Sequence, residues 1–289
     1  MRTQSVDTHP DAERVMIELI RSSPLSKRFR VVQSLTQSAF WANMHAWQER
    51  HREASEQEAA VHVLFFCSHG PGLAQRVQAA LERRECWHLQ PIDLLAVMLP
   101  ARRALEELHM LYYLGGSIAS SLHGMQQLAQ DIDLVVDLDE QALPSLFAVL
   151  REHYLFNEGE AREAVREHRP FPLIHLDSLM KVDVVFPKRD AFAPSMRQLI
   201  RGHTLDERYP PIQLASATEM LLFKVQRYQR DEQARTDGMQ DDAEWNDILG
   251  MLKVQGLDLD LPLLEEWAGA LDMTDTWRRA LVDAGLRAA

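Results

Sequence analysis

The fold is decided by two neighbouring stretches, Leu114-Gly-Gly-Ser-Ile-Ala-Ser-Ser-Leu-His-Gly124 and Asp131-Ile-Asp-Leu-Val-Val136. The first is typical of a strand that breaks into a glycine turn and then enters a helix. Glycines let the backbone approach a bound group, and the amides at a helix N-terminus favour an anion. The second is typical of a strand, so Asp131 and Asp133 point to the same face. Together they predict a phosphate-binding turn beside a carboxylate pair, which is the outline of a phosphoryl-transfer site.

A third carboxylate, Asp183, lies on the second strand of a predicted hairpin formed by residues 171–176 and 181–186. Each of the three Asp residues is flanked by branched apolar residues, where a lone carboxylate is costly to bury unless it is paired or binds a cation. Two carboxylates at i and i+2 also repel one another. Mg²⁺ suits such a set, because it takes carboxylate oxygens and keeps positions for substrate phosphates. Asp183 is suited to serve as a further metal ligand or as the base for an acceptor hydroxyl.

The order of elements predicts an α/β (α+β) protein in three parts. Residues 1–88 form a helical N-terminal module, in which Ser55 and Glu58 have the spacing of a capping box. Residues 89–190 run helix, strand, helix, strand, helix, hairpin, which predicts a core with a mixed sheet. Residues 191–289 begin as a loop and become a helical C-terminal domain.

Composition excludes several classes of protein. The net charge of −12 argues against a surface that coats nucleic acid non-specifically, because neutralising phosphates needs an excess of Lys and Arg. No apolar run approaches the length of a membrane span, and the first residues lack a signal core, so we expect a cytoplasmic protein without a membrane partner. Cys67 and Cys86 form neither a metal spacing nor a disulfide framework and are expected to be reduced.

The ordered combination of Gly-Ser before a helix, Asp-x-Asp on a strand and a third Asp on a later strand resembles the nucleotidyltransferases of the DNA polymerase beta superfamily. The similarity is greatest to the minimal bacterial members, including the abortive-infection AbiEii type and toxin-system enzymes. Two later stretches resemble segments of that group: Leu214-Ala-Ser-Ala-Thr-Glu-Met-Leu-Leu-Phe-Lys224 and Trp245-Asn-Asp-Ile-Leu249.

The resemblance implies a polymerase-beta-like core and transfer of a nucleoside monophosphate from an NTP to a hydroxyl. The acceptor would be an RNA such as tRNA, a protein or a small molecule, and the setting would be a toxin–antitoxin or phage-defence system. The resemblance implies that Gly115, Gly116 and Ser117 bind phosphate. It implies that Mg²⁺ or Mn²⁺ is bound by Asp131, Asp133 and Asp183, and that Asp183 also activates the acceptor. It further implies that Lys224 contacts a phosphate and that Asp247 orients Lys224 or the nucleotide.

One departure from the group keeps a second function open. Members of the group commonly carry an Arg shortly before the first Asp, whereas this chain has Gln126-Gln-Leu-Ala-Gln130. An Arg there could bind phosphates or fix the loop. The alternative is therefore a weak or inactive protein of the same fold that acts as a binding or regulatory partner. For Lys224 alone, a solvated helix face is the competing interpretation.

Overall fold

The computed structural model describes residues 2–4, 7–66, 71–84, 87–187, 197–234 and 242–287. Within them the helices are α1 (Pro10–Arg21), α2 (Leu25–Arg50), α3 (Glu56–Val61), α4 (Pro71–Leu81), α5 (Leu94–Glu107), α6 (Gly116–His123), α7 (Leu143–His153), α8 (Glu158–Glu167), α9 (Ala217–Ala234), α10 (Asp242–Gln255), α11 (Leu261–Ala270) and α12 (Thr274–Ala284). A π-helical turn, His62–Phe66, follows α3, and a 3₁₀ turn, Gly256–Asp258, follows α10.

The strands are β1 (Tyr112–Leu114), β2 (Asp131–Val136), β3 (Tyr154–Leu155), β4 (Phe171–His175), β5 (Lys181–Val185), β6 (Arg201–His203) and β7 (Ile212–Leu214). The mixed α/β class is thus confirmed, as are the strand Asp131–Val136 and the hairpin of β4 and β5. The capping box is also present, because the Ser55 side chain accepts from the Glu58 amide and the Glu58 carboxylate accepts from the Ser55 amide.

The chain forms two compact units, each assembled from segments that are distant in sequence. The first unit comprises the described residues within 1–30, 115–127 and 191–289, and the second those within 31–114 and 128–190. The predicted division into 1–88, 89–190 and 191–289 follows the chain instead, and those three domains stay a prediction.

In the second unit, five strands lie in the order β3-β4-β5-β2-β1. The β2 and β5 strands are parallel, and the other neighbours in this order are antiparallel. One face of the sheet is buried and largely apolar, with Ile132, Leu134 and Val182 each 0% exposed. The Tyr154 hydroxyl donates to the Val97 carbonyl of α5 at 2.5 Å, which ties β3 to the helix on that face.

The first unit is held by helix contacts around α10. Gly124, which ends α6, leaves no room for a side chain, because an added Cβ would lie 2.9 Å from the Met251 backbone nitrogen of α10. The α1 helix is joined to α10 by an ion pair between Glu13 and Lys253, which are 0% and 1% exposed and 3.0 Å apart. A buried pair of this kind is costly to break from one side, because the remaining charge loses its partner.

One local prediction is wrong. The region after residue 191 is predicted to begin as a loop, but β6 and β7 form an antiparallel ladder there. The α5 helix runs through Pro100 without a break. The α9 helix extends to Ala234, and Glu232 in its last turn pairs with Arg279 of α12 at 3.1 Å.

Two residues for which the sequence makes a prediction, Cys67 and Cys86, lie outside those described. Across the ranges that are described, no helix combines the length and the apolar character needed to span a bilayer.

A buried histidine gives the first unit a predictable pH dependence. Burial lowers the pKa of His123 to about 4, partly opposed by its hydrogen bond to the Ala215 carbonyl, 2.7 Å from Nε2. The unfolded chain takes up this proton near its ordinary pKa of about 6.5, whereas the folded protein does not until about 4. The free energy of unfolding should therefore fall on acidification between these values, by up to about 1.4 kcal/mol per pH unit from this group.

Urea unfolding of the wild type and His123→Gln at several pH values checks this, because glutamine can donate to the same carbonyl without titrating. The pH slope should be shallower in the variant, while His45→Gln, at an exposed position, should keep the wild-type slope. Identical slopes in the wild type and His123→Gln would rule out this histidine as the source.

Candidate functional site

The three candidate carboxylates lie on one face of the β2–β5 pair. The parallel register places Asp133 directly opposite Asp183, and Asp131 opposite Lys181. Residues opposite one another in a ladder point to the same side of a sheet, as do residues two apart on a strand. The sheet therefore brings Asp131, Asp133 and Asp183 together on the side opposite to the buried apolar face. This group of three carboxylates and Lys181 is called the carboxylate face below.

Lys181 was not predicted from the sequence as a site residue, yet its ammonium contacts two of the three carboxylates on this face. Its Nζ atom lies 2.8 Å from Asp183 Oδ2 and 3.1 Å from Asp131 Oδ2. The side chain of Lys181 is 13% exposed, and those of Asp131 and Asp183 are 29% and 20% exposed. One ammonium thus bridges two of the three carboxylates in a partly dehydrated setting, where charge interactions are stronger than in water.

The balance of interactions keeps Lys181 protonated. Burial alone would lower its pKa, but the hydrogen bond and charge of Asp183, followed by those of Asp131, outweigh burial and raise the pKa above its ordinary value. Lys181 therefore places one ammonium between two of the three carboxylates on this face.

The donor set suits a divalent metal in kind, because Mg²⁺ and Mn²⁺ prefer carboxylate oxygens. Lys181 already acts as a stand-in cation between Asp131 and Asp183, which is evidence that the face needs positive charge. In the described part of the chain, no three His, Cys, Asp or Glu side chains are spaced to ligate a metal. As described, with Lys181 between Asp131 and Asp183, the three carboxylates do not form a metal-ligating group.

The glycine turn lies in the first unit and opens α6. Gly116 has φ of +57°, a left-handed conformation that residues with a side chain rarely adopt, so glycine is needed there. The residue before it, Gly115, provides no side-chain cap for the helix amides. The Ser117 hydroxyl oxygen is buried and makes no hydrogen bond with any described residue. This end of α6 has the amides and the hydroxyl that phosphate binding requires.

Lys224 and Asp247 meet in the same unit, although sequence analysis left Lys224 open as a solvated residue. Lys224 Nζ lies 2.6 Å from Asp247 Oδ2 and 3.5 Å from Glu244 Oε1, and Lys224 is 5% exposed. The Ser120 hydroxyl of α6 donates to the same Asp247 oxygen at 3.0 Å. Asp247 therefore fixes Lys224 and links α6 to α9 and α10, which agrees with a role in orienting the lysine.

The glutamine segment that replaces the expected Arg has a structural use. Gln126 Nε2 donates to the carbonyls of Ser121 and Gly124, at 3.2 and 3.0 Å. These carbonyls lie at the C-terminal end of α6, where backbone oxygens lack helical partners. The Gln127 amide donates to the Ser121 hydroxyl at 3.3 Å. The segment thus caps α6 and does not itself supply positive charge.

Sequence reasoning missed three residues with polar roles: Lys181, Ser120 and Glu244. Lys181 could have been found, because Lys181-x-Asp183 has the same i, i+2 spacing as Asp131-x-Asp133 and must share a face with its aspartate. Ser120 and Glu244 offer no comparable pattern, because their partners come from other helices.

Removing the Lys181 ammonium should leave Asp131 and Asp183 repelling one another. We expect Lys181→Met to lose about 1–3 kcal/mol of folding free energy at neutral pH, the range for a charged hydrogen-bonded group. Mg²⁺ or Mn²⁺ should then stabilise this variant more than the wild type, because a ligand that binds only the folded state adds stability. Thermal and urea unfolding with and without metal measure both effects.

The matched control is Lys27→Met, which removes an exposed lysine. It should unfold like the wild type and gain nothing extra from metal. If Lys181→Met behaved like Lys27→Met in both measurements, the carboxylate face would not depend on this ammonium.

Comparison with known proteins gives limited results. No model of a known protein family matches the chain, and no curated protein matches it. Among solved structures, the chain is similar to the crystal structure of an antigenic nucleotidyltransferase-like protein from Paracoccidioides brasiliensis, with a TM-score of 0.38 and 16% identity. That similarity covers 65% of this chain and 90% of the other.

Proposed function

We propose that the protein is a nucleotidyltransferase that moves a nucleoside monophosphate from an NTP to an acceptor hydroxyl. The single observation that carries this proposal is the register of β2 and β5, with Asp133 opposite Asp183 and Asp131 on the same face. Three carboxylates on one surface of a sheet are costly in a merely structural role, because they repel one another. They are useful where cations and phosphates must be held together.

The acceptor hydroxyl attacks the α-phosphorus of the NTP, and a new oxygen–phosphorus bond forms. The bond from the α-phosphorus to the bridging oxygen breaks, and pyrophosphate leaves. Asp131, Asp133 and Asp183 would hold Mg²⁺, which when bound neutralises charge on the phosphate oxygens. Asp183 accepts the proton of the hydroxyl in this proposal, because an ionised carboxylate is a hydrogen-bond acceptor only. It lies on β5, the strand next to β4.

We propose as well that the first unit, taken by itself, offers contacts for phosphate. The amides at the start of α6 and the Ser117 hydroxyl can donate to phosphate oxygens. Lys224, held by Asp247, contributes a fixed positive charge at low exposure, where its interaction with an anion is little weakened by water. A lysine already fixed in place loses less side-chain entropy on contact with a ligand.

Lys181 also supports a second function, a non-catalytic protein of the same fold that binds or regulates a partner. In that case the ammonium permanently replaces a metal between Asp131 and Asp183. The two functions differ in one property: only the enzyme requires Lys181 to yield its place to a divalent cation. We favour the enzyme, because the register of β2 and β5 gathers three carboxylates on one surface.

The proposal is tested by incubation with α-³²P-labelled NTPs and Mg²⁺ or Mn²⁺ in the presence of candidate RNA, protein and small-molecule acceptors. Asp133→Asn keeps the shape of the side chain but removes its charge. We expect the wild type to label an acceptor, and Asp133→Asn to lose at least about 100-fold of that rate, as for the loss of one group that stabilises transition-state charge.

Asp177→Asn serves as the matched control, since Asp177 is an exposed residue in the β4–β5 turn that pairs with Arg84 at 3.4 Å. It should retain wild-type labelling. Equal labelling by the wild type and Asp133→Asn would contradict the proposal. Absence of labelling together with tight NTP binding in the calorimeter that needs no Mg²⁺ would favour the non-catalytic function.

A further inference from the structure

A cavity of about 370 Å³ lies in the second unit, bounded by α4, α8, β3 and β4. Its volume falls within the range of small-molecule sites. Its walls are largely apolar, and the residues used below are Leu73, Leu155, Phe156, Pro172 and Ile174. We call it the β4 cavity.

Three wall residues of the β4 cavity lie on the same side of the sheet as the carboxylates, whereas Phe171, which also lines the cavity, belongs to the opposite face. In the β4–β5 ladder, Pro172 is opposite Asp183 and Ile174 is opposite Lys181. Leu155 of β3 is opposite Ile174 in turn. Opposed residues share a face, so these three wall residues continue the carboxylate face towards the edge of the unit.

The wall of the β4 cavity at Pro172 lies close to Asp183. Neighbouring strands are about 4.8 Å apart, so the wall at Pro172 begins one strand spacing from Asp183. A molecule whose body occupies the β4 cavity can therefore place a polar end group over β5. The carboxylate face and the apolar walls are parts of one continuous surface on this sheet.

The charges around the cavity restrict what it can hold. Its edge carries an ion pair between Arg76 and Glu160, at 3.2 Å, and a second between Glu158 and Arg151, at 2.8 Å. The charged side chains at the edge are thus paired with one another. A polyanion such as nucleic acid would meet repulsion from the carboxylate face. The interior offers apolar contacts, which suit an uncharged body.

We propose that the β4 cavity is the acceptor site, and that the acceptor is a small, uncharged or cationic molecule with an apolar body and a hydroxyl group. The body lies against Leu73, Phe156 and Pro172, and the hydroxyl reaches Asp183. This inference rests on the proposed function for the identity of the reaction. The hydroxyl oxygen bonds to the α-phosphorus of the NTP, its proton passes to Asp183, and pyrophosphate leaves.

The inference also gives the helical N-terminal module a use, because α4 forms one wall of the cavity through Leu73 and Arg76. A transferase acting on a bulky polymer would need an open face here. A helical wall beside β3 and β4 suits a small acceptor, and α4 of the N-terminal module forms that wall.

The test measures binding of 4-methylphenol, a neutral molecule with an apolar ring and a hydroxyl, without any nucleotide or metal. Saturation-transfer NMR on the full chain gives its affinity. Leu73→Trp fills the cavity from a half-buried position on α4, and Gln75→Trp places the same side chain on α4 outside the cavity lining. We expect binding at least about 10-fold weaker in Leu73→Trp and unchanged in Gln75→Trp, because added volume in a packed space excludes the ligand.

A second measurement needs no variant. In ¹³C-methyl spectra of the wild type, 4-methylphenol should shift the methyl signals of Ile174 and Leu155, while 4-methylphenyl phosphate should shift them less, because it brings negative charge towards the carboxylate face. Equal affinity in Leu73→Trp and the wild type, or shifts confined to other methyl groups, would overturn the assignment. Its failure leaves the labelling result standing, whereas loss of labelling with intact 4-methylphenol binding refutes only the transferase.

Discussion

The parallel pairing of β2 with β5 is the constraint on which the rest of the account depends. Because this ladder has no slip between Asp133 and Asp183, three carboxylates and one ammonium share a single surface. A shift of β5 by one residue would turn each of its side chains to the other face, which would bury Asp183 beside Leu134 of β2. The apolar face, which is fully buried, therefore specifies the position of the polar one.

Electrostatics then explains why the polar surface is suited to chemistry rather than to stability. Lys181 partly neutralises the cluster through Asp131 and Asp183, and both partners hold its pKa above the ordinary value against the effect of burial. An ammonium on a flexible stem can leave such a position, whereas an arginine in a bidentate pair would be harder to displace. A second lysine, Lys224, is held by Asp247 in the other unit, so each unit contains a lysine that is fixed by a carboxylate.

Much of the fold could be predicted because its decisive segments are local. The alternation of Asp131–Val136, the glycine before α6 and the Ser55 capping box each depend on neighbours in sequence. The partners of the site residues could not be predicted in the same way. Lys181 meets Asp131 only through the pairing of distant strands, and Asp247 meets Ser120 only through helix packing. The short strands β6 and β7 escaped prediction because three residues carry too little alternation to detect.

The central claim is that Lys181 gives up its place to a cation held by Asp131, Asp133 and Asp183. A crystal structure with Mn²⁺ and a non-hydrolysable NTP analogue tests this most directly, because anomalous scattering locates the manganese. The account predicts a manganese peak against Asp133 and Asp183, with the Lys181 ammonium moved away from at least one of its two carboxylates. A bound analogue with manganese only elsewhere, and with Lys181 still bridging Asp131 and Asp183, would contradict it.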